Sequence, residues 1–503
     1  MLNPASNESG DHVNAHLFTF DNTYARELEG FYVPWNATQV AQPRLVKLNH
    51  GLAEELGLSP VALNSERGAR IFSGNEIPEG ATPLVQAYAG HQFGGFVPQL
   101  GDGRALLLGE VIDRNGQRRD IQLKGSGPTP FSRRGDGRAA LGPVLREYLI
   151  GEAMHALGIP TTRALAAVTT GEPVYREGPL PGAVLTRVAS SHVRVGTFQL
   201  FAARREQEKL QRLADYVIHR HYQELKDNAN PYLALVERVS DRQAELIASW
   251  MHVAFIHGVM NTDNMAISGE TIDYGPCAFM DHYDPATAFS SIDTYGRYAY
   301  GNQPKIAQWN LARFAETLLS LIDADKDRAV ARATEVVNAF PAKYENDWLK
   351  GMRAKLGLIT EEEADLNLAT EFLWALESSH VDFTLAFRYL ADAVSGEEEN
   401  IRQLFSDPSP YDSWSKYWRE RLSRDSLEPS KRAEMMRRVN PAFIPRNHRV
   451  EEALSAAVER DDYAPFDMLL KILSRPFDDQ PEFAEFMQPA PESEIPYQTF
   501  CGT

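Results

Sequence analysis

The sequence predicts an α+β protein in which a β-rich part with one helix is followed by a large, mainly helical part. Two observations predict this order. Residues 84–195 are rich in Gly and in short apolar runs joined by turn residues, which is typical of strands. From about residue 195 onward, apolar residues recur at helical spacing. We therefore divide the chain into an N-terminal lobe, residues 1–195, and a helical C-terminal lobe, residues 196–503.

Two pairs of strands are predicted in the N-terminal lobe. An Asn115-Gly116 dipeptide separates the first pair, and this dipeptide is typical of a tight hairpin turn because both residues tolerate positive φ. A Gly- and Pro-containing connection separates the second pair. The predicted strands cover residues 105–112, 120–125, 166–174 and 182–189.

One helix is predicted between these pairs, over residues 141–157, because its apolar residues form a stripe and Gly158 follows it. In the C-terminal lobe, residues 197–225 and 241–259 read as long helices, the second with Asp241 as its N-cap. The protein-kinase fold has the same order of elements: two strands, a helix, two strands and then helices. This order alone is weak grounds for a function, so the residues placed on it must decide.

Composition limits the functional classes. The chain has 503 residues, of which 43% are hydrophobic, enough for a large core or for two lobes that share a cleft. A net charge of -18 argues against a non-specific nucleic-acid binder, so a polyphosphate site would need a local basic cluster. The polar N-terminus shows no secretory signal, and no apolar run is long enough for a membrane span. With only two cysteines, we expect the reducing cytoplasm as the compartment. We also expect a monomer without nucleic-acid or membrane partners.

A lysine and a glutamate stand in the order that kinase-like enzymes use. Lys124 ends a predicted strand, and Glu147 lies on the following helix at the edge of its apolar stripe. Kinase folds use such a lysine to hold ATP phosphates and pair it with a helix glutamate. The alternative is a pair of solvated surface charges, which is the commoner situation for either residue alone.

Two Gly-rich segments are candidate phosphate contacts. Gly101, Gly103 and Arg104 precede a strand, and small residues there would let the backbone approach a phosphate while Arg104 binds it. A dinucleotide-binding fingerprint is excluded because Leu stands where its third Gly would be and a strand follows; a P-loop motif is also missing. Asp136 and Gly137 lie at the tip of a second, arginine-containing loop that leads into a helix. Simple solvated turns remain the alternative for both segments.

Two arginines follow the second Gly-rich segment. Arg187 lies within an apolar strand, where a charge requires an anion or an acid as partner. Arg194 follows the end of that strand and is a weaker candidate by itself. An edge-strand arginine exposed to water is the alternative for Arg187.

The segment 257–281 carries the strongest chemical signal. Asp263 and Asn264 are adjacent, and Asp273 begins an Asp-Tyr-Gly sequence where kinases have Asp-Phe-Gly. In kinase-like enzymes one Asp deprotonates or positions the nucleophile, while an Asn and a second Asp bind the metal. Asn264 with Asp273 would be a reasonable half-site for Mg²⁺. The alternative is a pair of Asx turns, which Asn-Thr-Asp-Asn forms readily.

Four segments together resemble the selenoprotein O family of protein adenylyltransferases. They are YAGHQFGGFVPQLGDGRALLLGE (88–110), IQLKGSGPTPFSRRGDGRAALGPVLREYL (121–149), PGAVLTRVASSHVRVGTFQ (181–199) and HGVMNTDNMAISGETIDYGPCAFMD (257–281). The resemblance implies a kinase-like bilobal fold that binds ATP in a flipped orientation with Mg²⁺ or Mn²⁺. It implies transfer of AMP to Ser, Thr or Tyr hydroxyls of protein substrates, with release of pyrophosphate.

The resemblance also implies roles for individual residues. Asp263 would be the general base, and Asn264 and Asp273 the metal ligands. Glu147 would pair with Lys124. The ATP-binding set would be Gly101, Gly103, Arg104, Lys124, Asp136, Gly137, Arg187, Arg194 and Asp273. If Lys124, Arg187 and Arg194 bury the β- and γ-phosphates, the α-phosphorus faces the acceptor, which explains nucleotidyl transfer.

The two cysteines suggest a redox contact. The family often ends in Cys or selenocysteine followed by two serines, whereas this chain ends Cys501-Gly502-Thr503. Cys277 follows the Asp-Tyr-Gly-Pro sequence directly. We hypothesise a reversible disulfide between Cys277 and Cys501; two free thiols are the alternative.

Two other functions use the same cleft. A kinase-type phosphotransferase would move the γ-phosphate instead of AMP, and a pseudokinase scaffold would bind nucleotide without chemistry. The scaffold is disfavoured because a candidate base and candidate metal ligands are all present. Asp263 and Asn264 are adjacent rather than five residues apart as in kinases, which favours unusual nucleotide geometry.

Overall fold

A twisted antiparallel sheet forms the first part of the chain in the computed structural model, which describes residues 17–491 and 497–500. Eight of the strands in the described residues form this sheet, in the order β1-β3-β6-β7-β10-β9-β2 with β8 paired to β10. Two short hairpins, β4–β5 and β11–β12, lie outside it. The strands are β1 (Tyr32–Pro34), β2 (Arg44–Leu48), β3 (Leu84–Gln86), β4 (Gly90–Gln92), β5 (Gly95–Val97), β6 (Ala105–Ile112), β7 (Arg118–Lys124), β8 (Ala139–Ala140), β9 (Arg163–Tyr175), β10 (Pro179–Ala189), β11 (Phe255–Ile256) and β12 (Ala278–Phe279).

Helices surround the sheet and make up most of the chain after it. The α-helices of the described residues are α1 (Thr23–Glu27), α2 (His50–Glu55), α3 (Pro60–Leu63), α4 (Glu66–Ser73), α5 (Leu141–Ala156), α6 (Val195–Ala203), α7 (Gln207–His221), α8 (Pro231–His252), α9 (Gln303–Ile322), α10 (Lys326–Lys355), α11 (Asp365–Ser378), α12 (Phe383–Ala393), α13 (Glu399–Arg402), α14 (Ser409–Ser423), α15 (Pro429–Arg437), α16 (Asn447–Arg460) and α17 (Ala464–Leu473). Short 3-10 turns add to them, and one covers Thr262–Asn264. No helix of the described part of the chain is long and apolar enough to cross a membrane.

The predicted strand and helix order between residues 105 and 189 is confirmed. β6 and β7 form the expected hairpin, with Ile112 opposite Arg118 and Gly116 at φ +74° in the turn. β9 and β10 pair with each other, and β10 also pairs with β7. Helix α5 ends one residue earlier than predicted and packs against β9 and β10. The strands differ from their predicted ends by up to three residues, since local patterns define ends poorly.

The two long helices predicted after residue 195 required correction. A left-handed Arg205, φ 59°, separates α6 from α7, so 197–225 is not one helix. Helix α8 begins ten residues before the predicted cap, with Asn230 as N-cap and Pro at its first position, and it ends at His252. Asp241 therefore lies inside α8, where it contacts Arg238 at 3.3 Å. A Pro in the first turn marks the start more strongly than an internal Asp.

The sheet separates two apolar cores. Alternation along β6 sends Leu106 and Leu108 to one face, where helices α2 to α4 cover them, and Leu107 to the other face, where α5 and the later helices pack. The same alternation in β7 buries Leu123 in the first core. The side chain of Lys124 consequently points to the α5 side of the sheet.

Candidate active site

A cluster of four charged side chains, three of them buried and one, Asp273, partly exposed, lies between the sheet and α5. Lys124 Nζ is 2.6 Å from Glu147 Oε2 and 2.5 Å from Asp273 Oδ1. Arg187 Nε donates to Glu147 Oε1 at 2.7 Å, and its Nη2 lies 3.4 Å from Asp273 Oδ1. Two cations and two carboxylates thus satisfy each other, which a group of buried charges requires.

Strand register explains why this cluster forms. Leu185 of β10 is opposite Lys124 of β7, and Arg187 is opposite Gln122. Residues two apart point to the same face of a sheet, so Arg187 and Lys124 both face α5. Glu147, within the second turn of α5, lies above them and is only 5% exposed. The expected partnership of Lys124 and Glu147 is present, and Arg187 joins it.

Asp263 and Arg194 form a second buried centre beside the first. Arg194 occupies the position before the first residue of α6, and its Nη1 donates to the backbone carbonyl of Asp263 at 3.2 Å. Its guanidinium also lies 4.6 Å from the centre of the Tyr88 ring. Asp263 belongs to the 3-10 turn that follows Asn261 and is 8% exposed. Its neighbour Asn264 donates from Nδ2 to the carbonyl of Val259 at 3.1 Å.

A cavity of about 290 Å³ joins the two centres to the Gly-rich segments. The predicted site residues that line it are Gly101, Gly103, Arg104, Asp136, Gly137, Asp263 and Asp273. Phe131 from the second loop covers Gly101 so closely that a Cβ at position 101 would come 2.4 Å from its ring. Asp136 is fixed by Arg176, whose Nη1 is 2.8 Å from Asp136 Oδ2. A side chain at Gly101 would therefore disturb the cavity wall.

The two aspartates differ in their electrostatic surroundings. Burial raises the pKa of Asp263 to about 6, and Arg194 opposes this only in part. Burial would also raise the pKa of Asp273, but Lys124, Arg187 and Arg104 hold it well below its usual range. The pKa of Glu147 is lowered because Arg187 and Lys124 outweigh its burial. Asp263 is thus suited to exchange a proton near neutral pH, whereas Asp273 and Glu147 remain charged.

The donor atoms present fit a hard cation only in combination with phosphate. Asn264 and Asp273 offer an amide and a carboxylate oxygen, which are ligand types that Mg²⁺ accepts. Within residues 17–491 and 497–500, no group of three or more His, Cys, Asp or Glu side chains forms a metal cage. An ion bound here would take its remaining ligands from phosphate oxygens and water, as Mg²⁺ commonly does.

Sequence reasoning missed two polar residues of this region. Asp102, between the two predicted glycines, is 2% exposed, and its Oδ2 accepts from the backbone N–H of Gln86 at 3.1 Å. Its Oδ1 lies 3.7 Å from Arg194 Nη2. Gln92 lines the cavity and donates to Asp263 Oδ2 at 3.3 Å. The sequence could have indicated Asp102, because it lies inside the Gly101–Arg104 segment. Nothing in the sequence distinguished Gln92 from the other residues of its segment.

Cys277 is buried close to the end of the chain. Burial raises the pKa of its thiol to about 12. Arg146 donates from Nη2 to the Cys277 carbonyl at 2.8 Å and to the Tyr497 hydroxyl at 3.2 Å. Thr499 Oγ1 donates to the Pro276 carbonyl at 2.7 Å. Cys501, the predicted disulfide partner, lies outside the described residues.

The sheet and helix α5 thus bring buried cationic side chains close to a carboxylate, Asp263, whose pKa is raised to about 6. Comparison with known proteins identifies the class of protein. The family model "Protein adenylyltransferase SelO" matches residues 15–474. Proteins named "Protein nucleotidyltransferase YdiU" from Rhizobium etli and Cereibacter sphaeroides are each 62% identical over 488 residues, 97% of this chain and 97% and 100% of theirs. One from Rhizobium rhizogenes is 62% identical over 493 residues, 98% of both chains.

The chain therefore belongs to the SelO family of protein adenylyltransferases. The resemblance predicted from four segments is confirmed over nearly the whole chain. The predictions of an enzyme, of a nucleotidyltransferase and of protein adenylylation are confirmed with it.

Proposed function

We propose that the cleft around Lys124, Asp263 and Asp273 transfers AMP from ATP to a Ser, Thr or Tyr hydroxyl of another protein. The acceptor oxygen forms a bond to the α-phosphorus, and the bond from that phosphorus to the pyrophosphate oxygen breaks. The hydroxyl proton goes to Asp263, and pyrophosphate leaves. The observation that carries the proposal is the contact of the buried Lys124 and Arg187 with Asp273, which itself lines the Gly-rich cavity.

The arginines favour AMP transfer over phosphate transfer. Three cations lie at the buried side of the site: Lys124 is 9% exposed, Arg187 3% and Arg194 5%. Phosphates held by these cations would be the β- and γ-phosphates, which leaves the α-phosphorus on the side of the acceptor. The cations would also stabilise the charge that develops on the departing pyrophosphate.

The remaining predicted residues have supporting roles in this proposal. Gly101, Gly103, Arg104, Asp136 and Gly137 would surround the nucleotide, since all five line the cavity. Asn264 and Asp273 would hold Mg²⁺ or Mn²⁺, which when bound would neutralise phosphate charge. Glu147 would keep Lys124 in place.

Asp263 is the group in this cleft best suited to accept a proton. Its pKa of about 6 leaves it ionised at neutral pH and still basic enough to share a proton in the transition state. Asp273, bound to Lys124 and Arg187, is too acidic for that role. The two carboxylates therefore have different tasks because of their different neighbours.

The proposal also covers the arrangement of the two lobes, the cellular compartment and the redox state of the cysteines. A kinase-like bilobal arrangement, with residues 1–195 as nucleotide-binding lobe and 196–503 as helical lobe, is supported by the β6–β7, α5, β9–β10 order. The small number of cysteines supports a reducing compartment such as the cytoplasm, and the net charge of -18 argues against nucleic acid as a partner. The protein would act as a monomer. Reversible pairing of Cys277 with Cys501 would add redox control.

Labelled ATP tests the proposed function. Purified protein with Mg²⁺ or Mn²⁺ is incubated with casein and ATP labelled at either the α- or the γ-phosphate. We expect label to enter protein only from the α-position and to be lost with Asp263→Ala. Label entering only from the γ-position would make the protein a kinase, and none from either position would favour the nucleotide-binding scaffold.

A further inference from the structure

The β4–β5 hairpin borders the cavity on the side of Asp263. Phe93 donates from its backbone N–H to Asn261 Oδ1 at 3.0 Å, and Asn261 immediately precedes the 3-10 turn that carries Asp263. Gln92 lines the cavity and donates to Asp263 Oδ2 at 3.3 Å. Phe93 and Gly94, which form the tip of the hairpin, therefore lie at the edge of the cavity.

Two phenylalanines of this hairpin have large exposed side chains. Phe93 is 39% exposed and Phe96 is 42% exposed. Phe93 also has a φ of 51°, and Gly94 follows it with a φ of 86°. A tight hairpin turn with two positive φ angles favours Asn or Gly, whereas a bulky residue there is strained. Folding alone does not account for a large apolar side chain in this position, and strain of this kind concentrates at functional sites.

Aromatic and cationic side chains extend this exposed area from the hairpin to α9. The His91 ring contacts the rings of Phe96 and Trp309, at centroid distances of 4.9 and 5.2 Å. The guanidinium groups of Arg297 and Arg313 each lie 5.0 Å from the centre of the Trp309 ring. The term hairpin surface refers below to Phe93, Phe96, Arg297, Trp309 and Arg313.

Arg297 lies beside the tip of the hairpin without an acidic partner. Its Cζ is 3.7 Å from the place where a Cβ on Gly94 would stand. Asp293 accepts from the backbone N–H of Arg297 at 2.9 Å and not from its guanidinium. Within the described part of the chain, Arg297 forms no ion pair, and its Nε lacks a hydrogen-bond partner. Arg313 pairs with Glu316, whose side chain is 55% exposed. In a chain with a net charge of -18, these arginines provide a local attraction for an anionic group.

The outer edge of β5 is free to pair with an extended chain. Gln92 and Gly95 flank the two-residue turn and form a bonded pair. The next pair, His91 and Phe96, therefore directs its backbone N–H and C=O groups away from the hairpin. The His91 N–H accordingly donates to Thr262 Oγ1 at 2.7 Å. On β5, the N–H and C=O of Phe96 have no partner among the described residues. Unpaired strand edges of this kind can accept a strand from another chain.

We propose that the hairpin surface docks the protein substrate, and that it takes an extended segment with acidic side chains and a large apolar side chain beside the acceptor hydroxyl. The inference rests on the proposed function, because it names the class of acceptor for the same cleft. The segment pairs with the free edge of β5 and places its apolar side chain against Phe93 and Phe96. One of its carboxylates binds Arg297, since a guanidinium matches a carboxylate in charge and shape. No member of the hairpin surface lines the cavity, so docking and ATP binding use different side chains.

Peptide binding in the absence of ATP tests the docking. One probe is a fluorescein-labelled peptide in which a Tyr is flanked by Leu and several Glu, and the other is the same peptide with Gln in place of every Glu. Fluorescence anisotropy gives the dissociation constant of each. We expect the wild-type protein to bind the Glu peptide about fivefold more tightly, because only that peptide offers carboxylates to the arginines.

Two variants separate the roles of charge and of the aromatic ring. Arg297→Gln removes the charge and should reduce the preference for the Glu peptide to about twofold. Phe93→Gly removes the ring and should weaken the binding of both peptides about fivefold. Because Gly also relieves the positive φ, this variant should remain folded in thermal unfolding. The matched controls are Arg438→Gln at the end of α15 and Tyr417→Ala on α14, since those side chains are 72% and 65% exposed. Both should bind the peptides like the wild-type protein.

Steady-state AMP transfer gives a second measurement. In Phe93→Gly the KM for the Glu peptide should rise about fivefold, while the KM for ATP should stay within about twofold, because the cavity wall is unchanged. Equal binding of the two peptides by the wild-type protein, or wild-type binding by both variants, would overturn the proposal. A wild-type dimer that dissociates in Phe93→Gly, as measured by sedimentation, would also overturn it and make the surface a contact between two copies of the chain.

The binding assay distinguishes this inference from the proposed function, because it requires no chemistry. Expected peptide preference without transfer of the α-label would support the docking surface and overturn the proposed AMP transfer. Transfer of the α-label with a KM for the peptide that neither variant changes would support the proposed function and overturn the docking surface.

Discussion

Lys124 and three charged neighbours neutralise one another between the sheet and α5, where water has little access. Glu147 accepts from both Lys124 and Arg187, and Asp273 contacts the same two cations. Removing one member of such a cluster leaves another buried charge unpaired, which costs more than the loss of one surface ion pair. These residues therefore stabilise the fold, in addition to the nucleotide binding that we propose for them.

The proton-accepting role that we propose for Asp263 leads to a pH prediction for the wild-type protein. A base must be ionised, so kcat/KM should fall tenfold for each pH unit below the pKa of Asp263, which is about 6. Rates of AMP transfer between pH 4.5 and 8 measure this limb, with protein stability checked across the range. A midpoint near pH 4, typical of an exposed aspartate, would show that burial does not set the pKa.

At the scale of single elements, the start of α8 depends on one residue. Asn230 Oδ1 accepts from the backbone N–H of Leu233 at 3.0 Å, and its Nδ2 donates to the carbonyl of Ile322 at 2.8 Å. The first bond satisfies an N–H that the helix itself leaves unbonded, and the second ties α8 to the end of α9. Asp241, the predicted cap, makes only side-chain ion pairs on the surface of α8.

Replacing the two candidate caps should distinguish them. Asn230→Ala should destabilise the first turn of α8 by about 1 kcal/mol, which corresponds to about fivefold faster amide exchange of Leu233 and its neighbours. Asp241→Ala should leave those amides unchanged, because its surface pairs contribute little. Hydrogen exchange followed by mass spectrometry of the peptide around 231–240 gives both results. If both replacements changed the exchange of these amides equally, Asn230 would not be the N-cap of α8.

At the scale of the whole molecule, residues 497–499 contact α5, α16 and the segment that follows Asp273. The Tyr497 hydroxyl donates to Glu451 Oε1 at 2.6 Å and accepts from Arg146, which precedes the cluster residue Glu147 on α5. Thr499 bonds to Pro276, the residue before Cys277. The C-terminal residues therefore link α5 to the segment that follows Asp273.

This linkage leads to a prediction about thiols. Because burial raises the pKa of Cys277 to about 12, we expect Cys501 to supply the attacking thiolate. With oxidised glutathione as oxidant, the protein should lose both free thiols and yield two molecules of glutathione. Alkylation after denaturation counts the thiols, with Cys277→Ser as control for glutathione attached to Cys501 alone. Two free thiols after oxidation would rule out the disulfide.

The sequence by itself determined the strand and helix order from 105 to 189 and supplied the set of candidate residues for the chemistry. It could do so because the alternation of apolar and polar residues in strands, the spacing of apolar residues in helices and the residues typical of turns are all patterns within a few neighbouring positions. Lys124, Glu147, Asp263 and Asp273 were recognisable by residue type and order. Family membership rested on the same short segments and is confirmed along the chain.

Only the tertiary structure decided which of these residues meet. The pairing of β7 with β10 brings Arg187 to Glu147, and this register depends on contacts between residues far apart in sequence. The position of Gln92 on Asp263 likewise depends on a hairpin that packs against a distant turn. The helix break at Arg205 and the true start of α8 reflect tertiary packing that overrides local helical spacing. Local patterns carry no information about such long-range contacts, and these contacts also set the pKa of Asp263.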